Sequence, residues 1–336
     1  MKQLVIPRHG APEVLIMRDA PDPVPGPDAV RIRVKAAGLN FADLLARQGL
    51  YPDAPKLPAV MGYEVAGEVD QVGSRVAGFA PGDRVLAMPK FGGQSELVTV
   101  PAAATFAMPP VWSFAEAAAL PVVYLTAHHM LTRLTGARRG ETVLVHSAAG
   151  GVGLAVAELA RILELHVIGL ASAGKHDVLR TYGVEPVDRT DRHWPDRVRR
   201  LVPKGVDIVL DPVGGESWRE GYRLLGPLGR LVCYGASELS GGTVRNMLRV
   251  VWRVARWPRF GPIALMNDNR GVLGVSMGHL WDAPAILAPQ MKALLDYGRE
   301  GRIKPRVDRT FPLADGAAAH RYLHERRNVG KIVLVP

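Results

Sequence analysis

Directly after the apolar run TVLVH at 142–146 the chain reads SAAGGVGLAVAELARIL, an A-x-G-x-x-G pattern set by Ala148, Gly150 and Gly153. A glycine loop that follows a buried strand and opens an apolar helix suits a pyrophosphate. The first N–H groups of a helix have no partner inside it, and the helix dipole favours an anion there. Ala149, Gly150, Gly151, Val152 and Gly153 are the residues expected to cradle the phosphates. Gly150 and Gly151 allow close approach, and Gly153 lets helix and strand pack tightly. The first glycine of the usual fingerprint is replaced by Ala148. The next strand, HVIGL at 166–170, runs into ASAGKH. No carboxylate stands there to receive a ribose 2′-hydroxyl, whereas Ser172 offers a hydroxyl and Lys175 a cation, with Arg189 beyond VEPVD as a second cation. That set favours a 2′-phosphate, and so NADPH over NADH.

A second group lies upstream. Asn40 and Asp43 stand three apart in GLNFAD, on one side of a short helix or turn. Tyr51 and Tyr63 carry hydroxyls that can donate to the oxygen of a substrate, though Tyr51 reads equally as an aromatic plug beside the cofactor. Metal chemistry finds few ligands. Cys233 is the only cysteine, which excludes an intramolecular disulfide and a four-thiolate zinc site. His128 and His129 are adjacent, and His320 and His324 read as positions of an amphipathic terminal helix rather than as ligands.

Three zones of the chain must position these residues. To about Pro121 the sequence is a series of short β-rich runs such as AVRIRVKAAG, broken by proline-rich turns, which reads as an antiparallel barrel or sandwich. A helix is expected over 126–135. After it come TVLVH, HVIGL, DIVLD (207–211), RLVCYG (230–235) and GVLGVS (271–276), alternating with helical patterns, the sign of a doubly wound parallel sheet. Gly235, Ala236 and Val275 then fall at the C-terminal edge of that sheet, where dinucleotides bind. The last seventy residues return to helix and strand and are expected to complete the first domain. The expected division is therefore 1–122 and 268–336 for the barrel domain and 123–267 for the nucleotide domain.

GLNFADLLARQGLY, MGYEVAGEV, FAPGDRV, SAAGGVG and NVGKIVLVP occur in this order. Together they resemble the zinc-independent quinone oxidoreductase branch of the medium-chain dehydrogenase/reductase superfamily, and within it the vesicle amine transport protein 1-like subgroup. The resemblance implies an α/β fold with a GroES-like antiparallel β-barrel catalytic domain plus a Rossmann sheet, NADPH as hydride donor and a homodimer. It also implies that Asn40 contacts the nicotinamide ribose or the substrate carbonyl, and that Thr126 contacts the cofactor. The zinc-dependent members place ligands where this chain has Asn40 and Tyr63, so Asp43 and Glu64, which match acidic positions of that pattern, cannot complete a tetrahedral site alone. Without a metal to hold a developing alkoxide, the acceptor must spread the charge itself. Quinones and other conjugated carbonyls do so, with enoyl or enone reduction as the rival reaction.

The composition is that of a globular protein: 336 residues, 48% hydrophobic and 22% charged, with a net charge of +10. No lysine-rich tail or aromatic-interleaved repeat points to nucleic acid. The N-terminus lacks a signal-like apolar stretch, and the charge-free stretch 142–157 is too short to span a bilayer, so a cytoplasmic protein is expected. Val244 to Phe260 holds five arginines and no acid. Its spacing predicts a basic amphipathic helix with Arg245, Arg249, Arg253 and Arg256 opposite Leu248, Val251, Trp252 and Ala255. The preferred reading has the apolar face covering the substrate pocket or a subunit contact. The other reading is weak contact with an anionic membrane, which would make the protein a membrane-associated interaction protein that keeps the dinucleotide fold.

Overall fold

The computed structural model describes the whole chain, Met1–Pro336. The first stretch supplies β1 (Lys2–Ile6), β2 (Ile16–Asp19), β3 (Ala29–Leu39), β4 (Ala59–Val60), β5 (Val65–Val72), β6 (Arg84–Ala87), β7 (Leu97–Pro101) and β8 (Thr105–Ala107). It also holds the helices α1 (Phe41–Gln48), α2 (Phe114–Ala118) and α3 (Pro121–His128). The middle stretch runs β9 (Thr142–His146), α4 (Gly151–Leu163), β10 (His166–Ala171), α5 (His176–Thr181), β11 (Glu185–Asp188), α6 (Trp194–Leu201), β12 (Val206–Asp211), α7 (Glu216–Leu224) and β13 (Leu225–Cys233). It ends with α8 (Met247–Ala255), α9 (Pro262–Asp268) and β14 (Gly271–Gly274). The last stretch adds α10 (Pro284–Arg299), β15 (Val307–Pro312), α11 (Gly316–His324) and β16 (Lys331–Val335).

The chain forms two compact units. The first comprises Met1–Leu125, Gly242–Arg245 and Met277–Pro336, and the second Thr126–Gly241 and Asn246–Ser276. In the first unit, seven strands form a sheet in the order β15-β16-β3-β5-β6-β8, with β7 also on β3, and β2-β1-β4 form a smaller sheet. All pairings except β15 with β16 are antiparallel. The alternation legible in AVRIRV is real: Val30, Ile32 and Val34 turn into a core with Val65, Val85, Val100, Ile332 and Leu334. Each such buried aliphatic contributes about 1.5–3 kcal/mol relative to exposure.

The second unit is a six-stranded parallel sheet in the order β11-β10-β9-β12-β13-β14. Because β10 and β12 flank β9 and the chain continues outward from each, the sheet has its topological switch point beside β9, at the C-terminal edge.

The structure moves three expected boundaries. The second unit extends to Ser276 rather than 267, because β14 pairs in parallel with β13 and belongs to that sheet. Gly242–Arg245 joins the first unit: Arg47 Nη1 and Gln48 Nε2, at the end of α1, donate to the Thr243 and Gly242 carbonyls, and Arg245 Nη1 donates to the Gly49 carbonyl. The helix expected over 126–135 begins earlier, at Pro121, and widens into a π-type turn over His129–Leu134, where the Thr135 hydroxyl donates to the Met130 and Leu131 carbonyls.

Candidate active site

In the second unit the loop between β9 and α4 is built as a cradle. Gly150 is the N-cap of α4, and no side chain caps this thirteen-residue helix, so its first N–H groups face outward free of a side-chain partner. A Cβ on Gly153 would overlap the Ala148 carbonyl, which is why this position has no side chain. Ser147 adopts a left-handed φ of 57°, and Ala148 N donates to the Leu170 carbonyl at 3.1 Å, tying the loop to β10. These features fit a dinucleotide pyrophosphate.

The residues expected to choose the cofactor converge on one edge. Ser172 follows β10, Lys175 closes the short turn after it, and Lys175 N donates to the Ser172 carbonyl at 2.9 Å. Arg189 follows β11, and its backbone N–H donates to the Ala171 carbonyl at 3.0 Å. Asp188 lies beside them, but its carboxylate accepts from the Thr190 amide and hydroxyl, which hold it below the ordinary aspartate range. Gly235, Ala236 and Val275 follow the ends of β13 and β14, with Val275 N on the Cys233 carbonyl at 3.1 Å. Thr126 is buried in α3. A pair the sequence did not signal stands nearby: His146 and Asp211, ending β9 and β12, approach to 3.6 Å, and burial keeps His146 below its ordinary pKa.

In the first unit, Asn40, Asp43, Glu64 and Lys331 form a buried polar network. Strand register explains the convergence. The Ile332–Leu39 pairing of β16 with β3 brings Lys331 opposite Asn40, and the Ala37–Val65 pairing of β3 with β5 brings Glu64 beside Gly38. Lys331 Nζ lies 2.5 Å from Glu64 Oε1 and donates to Asn40 Oδ1 at 2.5 Å. Asn40 Nδ2 donates to Glu64 Oε1 at 2.9 Å, and the Val122 amide donates to the other Glu64 oxygen at 2.7 Å. A Cβ on Gly38 would collide with Glu64, so the strand is glycine there. Asp43, at the third position of α1, accepts the Asn40 backbone N–H at 2.7 Å and thereby starts that helix. Burial pushes the Asp43 carboxyl up to about 7, against the Asn40 amide and the Lys331 ammonium, which pull it down. Lys331 was not among the residues expected to matter; a lysine opening the otherwise apolar KIVLV strand was its only signal.

Tyr51 and Tyr63 are brought together, their rings 6.3 Å apart and nearly perpendicular. Burial, then the Asp43 carboxylate, raises the Tyr63 phenol above its ordinary pKa, so it stays protonated. Phe91 and Trp281 complete an aromatic wall around Tyr63 at 5.4 and 6.5 Å. These rings line a cavity of about 440 Å³. Phe91 and Trp281 lie in loops with no motif, and nothing in the sequence marks them.

Residues 26–110 match the alcohol dehydrogenase GroES-like domain, and residues 183–334 the zinc-binding dehydrogenase family. The chain is 44% identical to the rat synaptic vesicle membrane protein VAT-1 homolog over 95% of its length and 80% of the relative's. Its structure is similar to an Escherichia coli quinone oxidoreductase complexed with NADPH (TM-score 0.88, 28% identity, 100% of both chains). It is also similar to the CurK enoyl reductase (TM-score 0.85, 27% identity, 99% and 98% of the two chains). Fold and site together are those of a dinucleotide-binding oxidoreductase. The chain belongs to the medium-chain dehydrogenase/reductase superfamily, in its VAT-1-like subgroup.

The zinc in that second family's name does not fit the residues present. Asn40 and Tyr63 are poor zinc ligands, and the Glu64 carboxylate is already neutralised by the Lys331 ammonium, which repels a metal cation.

Proposed function

We propose that this chain is an NADPH-dependent reductase, working without zinc, that transfers hydride to quinones or other conjugated carbonyls. The observation that carries the reading is the Lys331–Glu64–Asn40 network, which fills with an internal ion pair the position a Lewis acid would need. With no metal electrophile supplied, the acceptor must delocalise the incoming charge. Bound NADPH supplies the hydride and leaves as NADP⁺; the acceptor gains hydride and one proton. Ser172, Lys175 and Arg189 hold the 2′-phosphate in this reading, and residues 149–153 the pyrophosphate. Asn40, fixed at both ends of its amide, and Thr126 orient the cofactor, with Gly235, Ala236 and Val275 along its path. Asp43 orders α1, while Tyr51 and Tyr63 offer phenolic protons to the acceptor oxygen.

NADPH mixed with a panel of quinones and enones, followed by nicotinamide absorbance, tests the proposal. Oxidation with quinones is expected, oxidation with enones alone would favour the enoyl reductase alternative, and none with either would remove the reading. We further propose a cytoplasmic homodimer, supported by the unpaired outer edge of β14.

The basic segment supports a second reading. The apolar face of α8 is not covered within the chain: Leu248 is 84% exposed, Val251 62% and Trp252 59%. Arg249 turns back to the Gly241 carbonyl instead, because its guanidinium finds an acceptor there. An outward apolar face among arginines suits weak, reversible attachment to an anionic bilayer. Co-sedimentation with phosphatidylserine vesicles that is lost in Leu248→Asp supports it; sedimentation equal to that with neutral vesicles refutes it. No helix is long and apolar enough to cross a membrane.

A further inference from the structure

Tyr51, Tyr63, Phe91 and Trp281 enclose their cavity entirely within the first unit. Three of the four rings are fixed by their surroundings. Tyr63 is buried in the core, Tyr51 follows the left-handed turn that ends α1, and Phe91 packs on Tyr63. Trp281 also packs on the core and on Tyr63, but it is carried by a separate strap over Met277–Asp282 that polar clasps tie to the rest of the pocket. Trp281 Nε1 donates to the Pro89 carbonyl at 3.3 Å, Lys90 Nζ meets Asp282 at 2.7 Å, and His279 Nε2 meets Asp53 at 2.7 Å. A Cβ on Gly278 would stand 3.0 Å from the Tyr51 hydroxyl, so the strap passes directly over that ring. Both of the side-chain contacts, Lys90–Asp282 and His279–Asp53, are largely open to water and hold the strap only weakly.

The interior has aromatic walls, and at the rim the Lys90 ammonium is paired with Asp282 while Asp53 shares a hydrogen bond with His279. An anionic guest would lose its hydration with no unpaired cation to replace it. A saturated ring would lack the edge-to-face and offset contacts that aromatic walls give a flat one. We infer that Trp281 is the specificity-determining residue of this pocket, closing it on a flat, uncharged, conjugated ring system. That this guest is the hydride acceptor rests on the reductase reading; the stacking site itself does not.

The test separates the two. Calorimetric titration of the full chain uses 1,4-dimethoxynaphthalene, a flat ring that takes no hydride, its decahydro analogue and naphthalene-2-sulfonate. The flat neutral ring is expected to bind about tenfold more tightly than the others. Trp281→Leu, which keeps an apolar side chain but removes the ring, should weaken it about tenfold, and Trp281→Phe should stay within about threefold of wild type. Unchanged binding in Trp281→Leu, or equal affinity for the decahydro analogue, overturns the inference, provided thermal melting shows the variant folded. Trp281→Leu against wild type with 2-cyclohexenone and 1,4-naphthoquinone gives the kinetic check, kcat/KM falling for the naphthoquinone relative to the cyclohexenone. Equal shifts overturn it too. Ring-dependent binding without any NADPH oxidation would leave the stacking site standing and remove the reductase reading.

Discussion

At the scale of single residues, the buried Asp43 carboxyl, raised to about 7, makes the sharpest statement. Because its folded pKa lies above the ordinary value, the native state binds more protons than the unfolded chain between about pH 4 and 7, and this group costs stability as pH rises through that window. Asp43→Asn should flatten that part of a plot of Tm against pH while keeping an acceptor for the Asn40 amide. An unchanged slope would show that Asp43 is ionised in the native state. The opposite sign holds for His320, buried on α11 and lowered to about 3 by burial and the Arg47 guanidinium. Its demand for neutrality takes stability away as pH falls from about 6.5 to 3, so His320→Gln should blunt acid unfolding. Lys331→Met leaves Glu64 buried without its cation and should cost about 3–5 kcal/mol in urea unfolding, much of it recovered in the double variant with Glu64→Gln. Lys175→Ala should raise the Kd for NADPH at least about tenfold and that for NADH little, as expected for one charge-assisted phosphate contact; equal effects would remove the phosphate assignment. Asn40 and Asp43 were legible as a pair because their types and three-residue spacing are local. Lys331 was not, because its partners Asn40, 291 residues away, and Glu64 lie at the other end of the chain with no linear pattern to join them.

At the scale of elements, periodicity did most of the work. The strand–glycine–helix sequence at 142–163 became β9, an uncapped turn and α4, since an apolar run followed by glycines leaves the backbone few other ways to satisfy itself. Gly153→Val should abolish dinucleotide binding in a fluorescence titration and lower Tm, because the new side chain would force α4 away from the Ala148 carbonyl; retained binding would mean the cradle is not the site. Helix α8 shows the limit of the same logic. Its two faces were legible from spacing, but the direction each face points depends on what lies beside it. Arg249 found a carbonyl at Gly241, and the aliphatic face was left to solvent.

At the scale of the whole molecule, the two units are assembled from interleaved pieces of chain, so neither corresponds to a continuous stretch. The alternation of strands with helices after 142 fixed a parallel sheet in the second, because parallel strands need crossovers long enough to hold a helix. The order β11-β10-β9-β12-β13-β14, and hence the switch point, came only from which edges paired. Metal analysis of the purified protein is expected to find well under one zinc per chain, and stoichiometric zinc would overturn the proposed chemistry. Sequence alone determined what is local: the glycine loop between strand and helix, the absence of a carboxylate after HVIGL, the Asn40 and Asp43 pair, and the change from short β-rich runs to strands alternating with helices. Tertiary structure alone decided what depends on distant chain segments meeting: the ammonium of Lys331 on Glu64, the ring of Trp281 across from Tyr63, and the outward face of α8. Short-range patterns are written in residue order because hydrogen bonding and side-chain direction repeat every two or 3.6 residues, whereas strand register sets long-range neighbours and has no period to read.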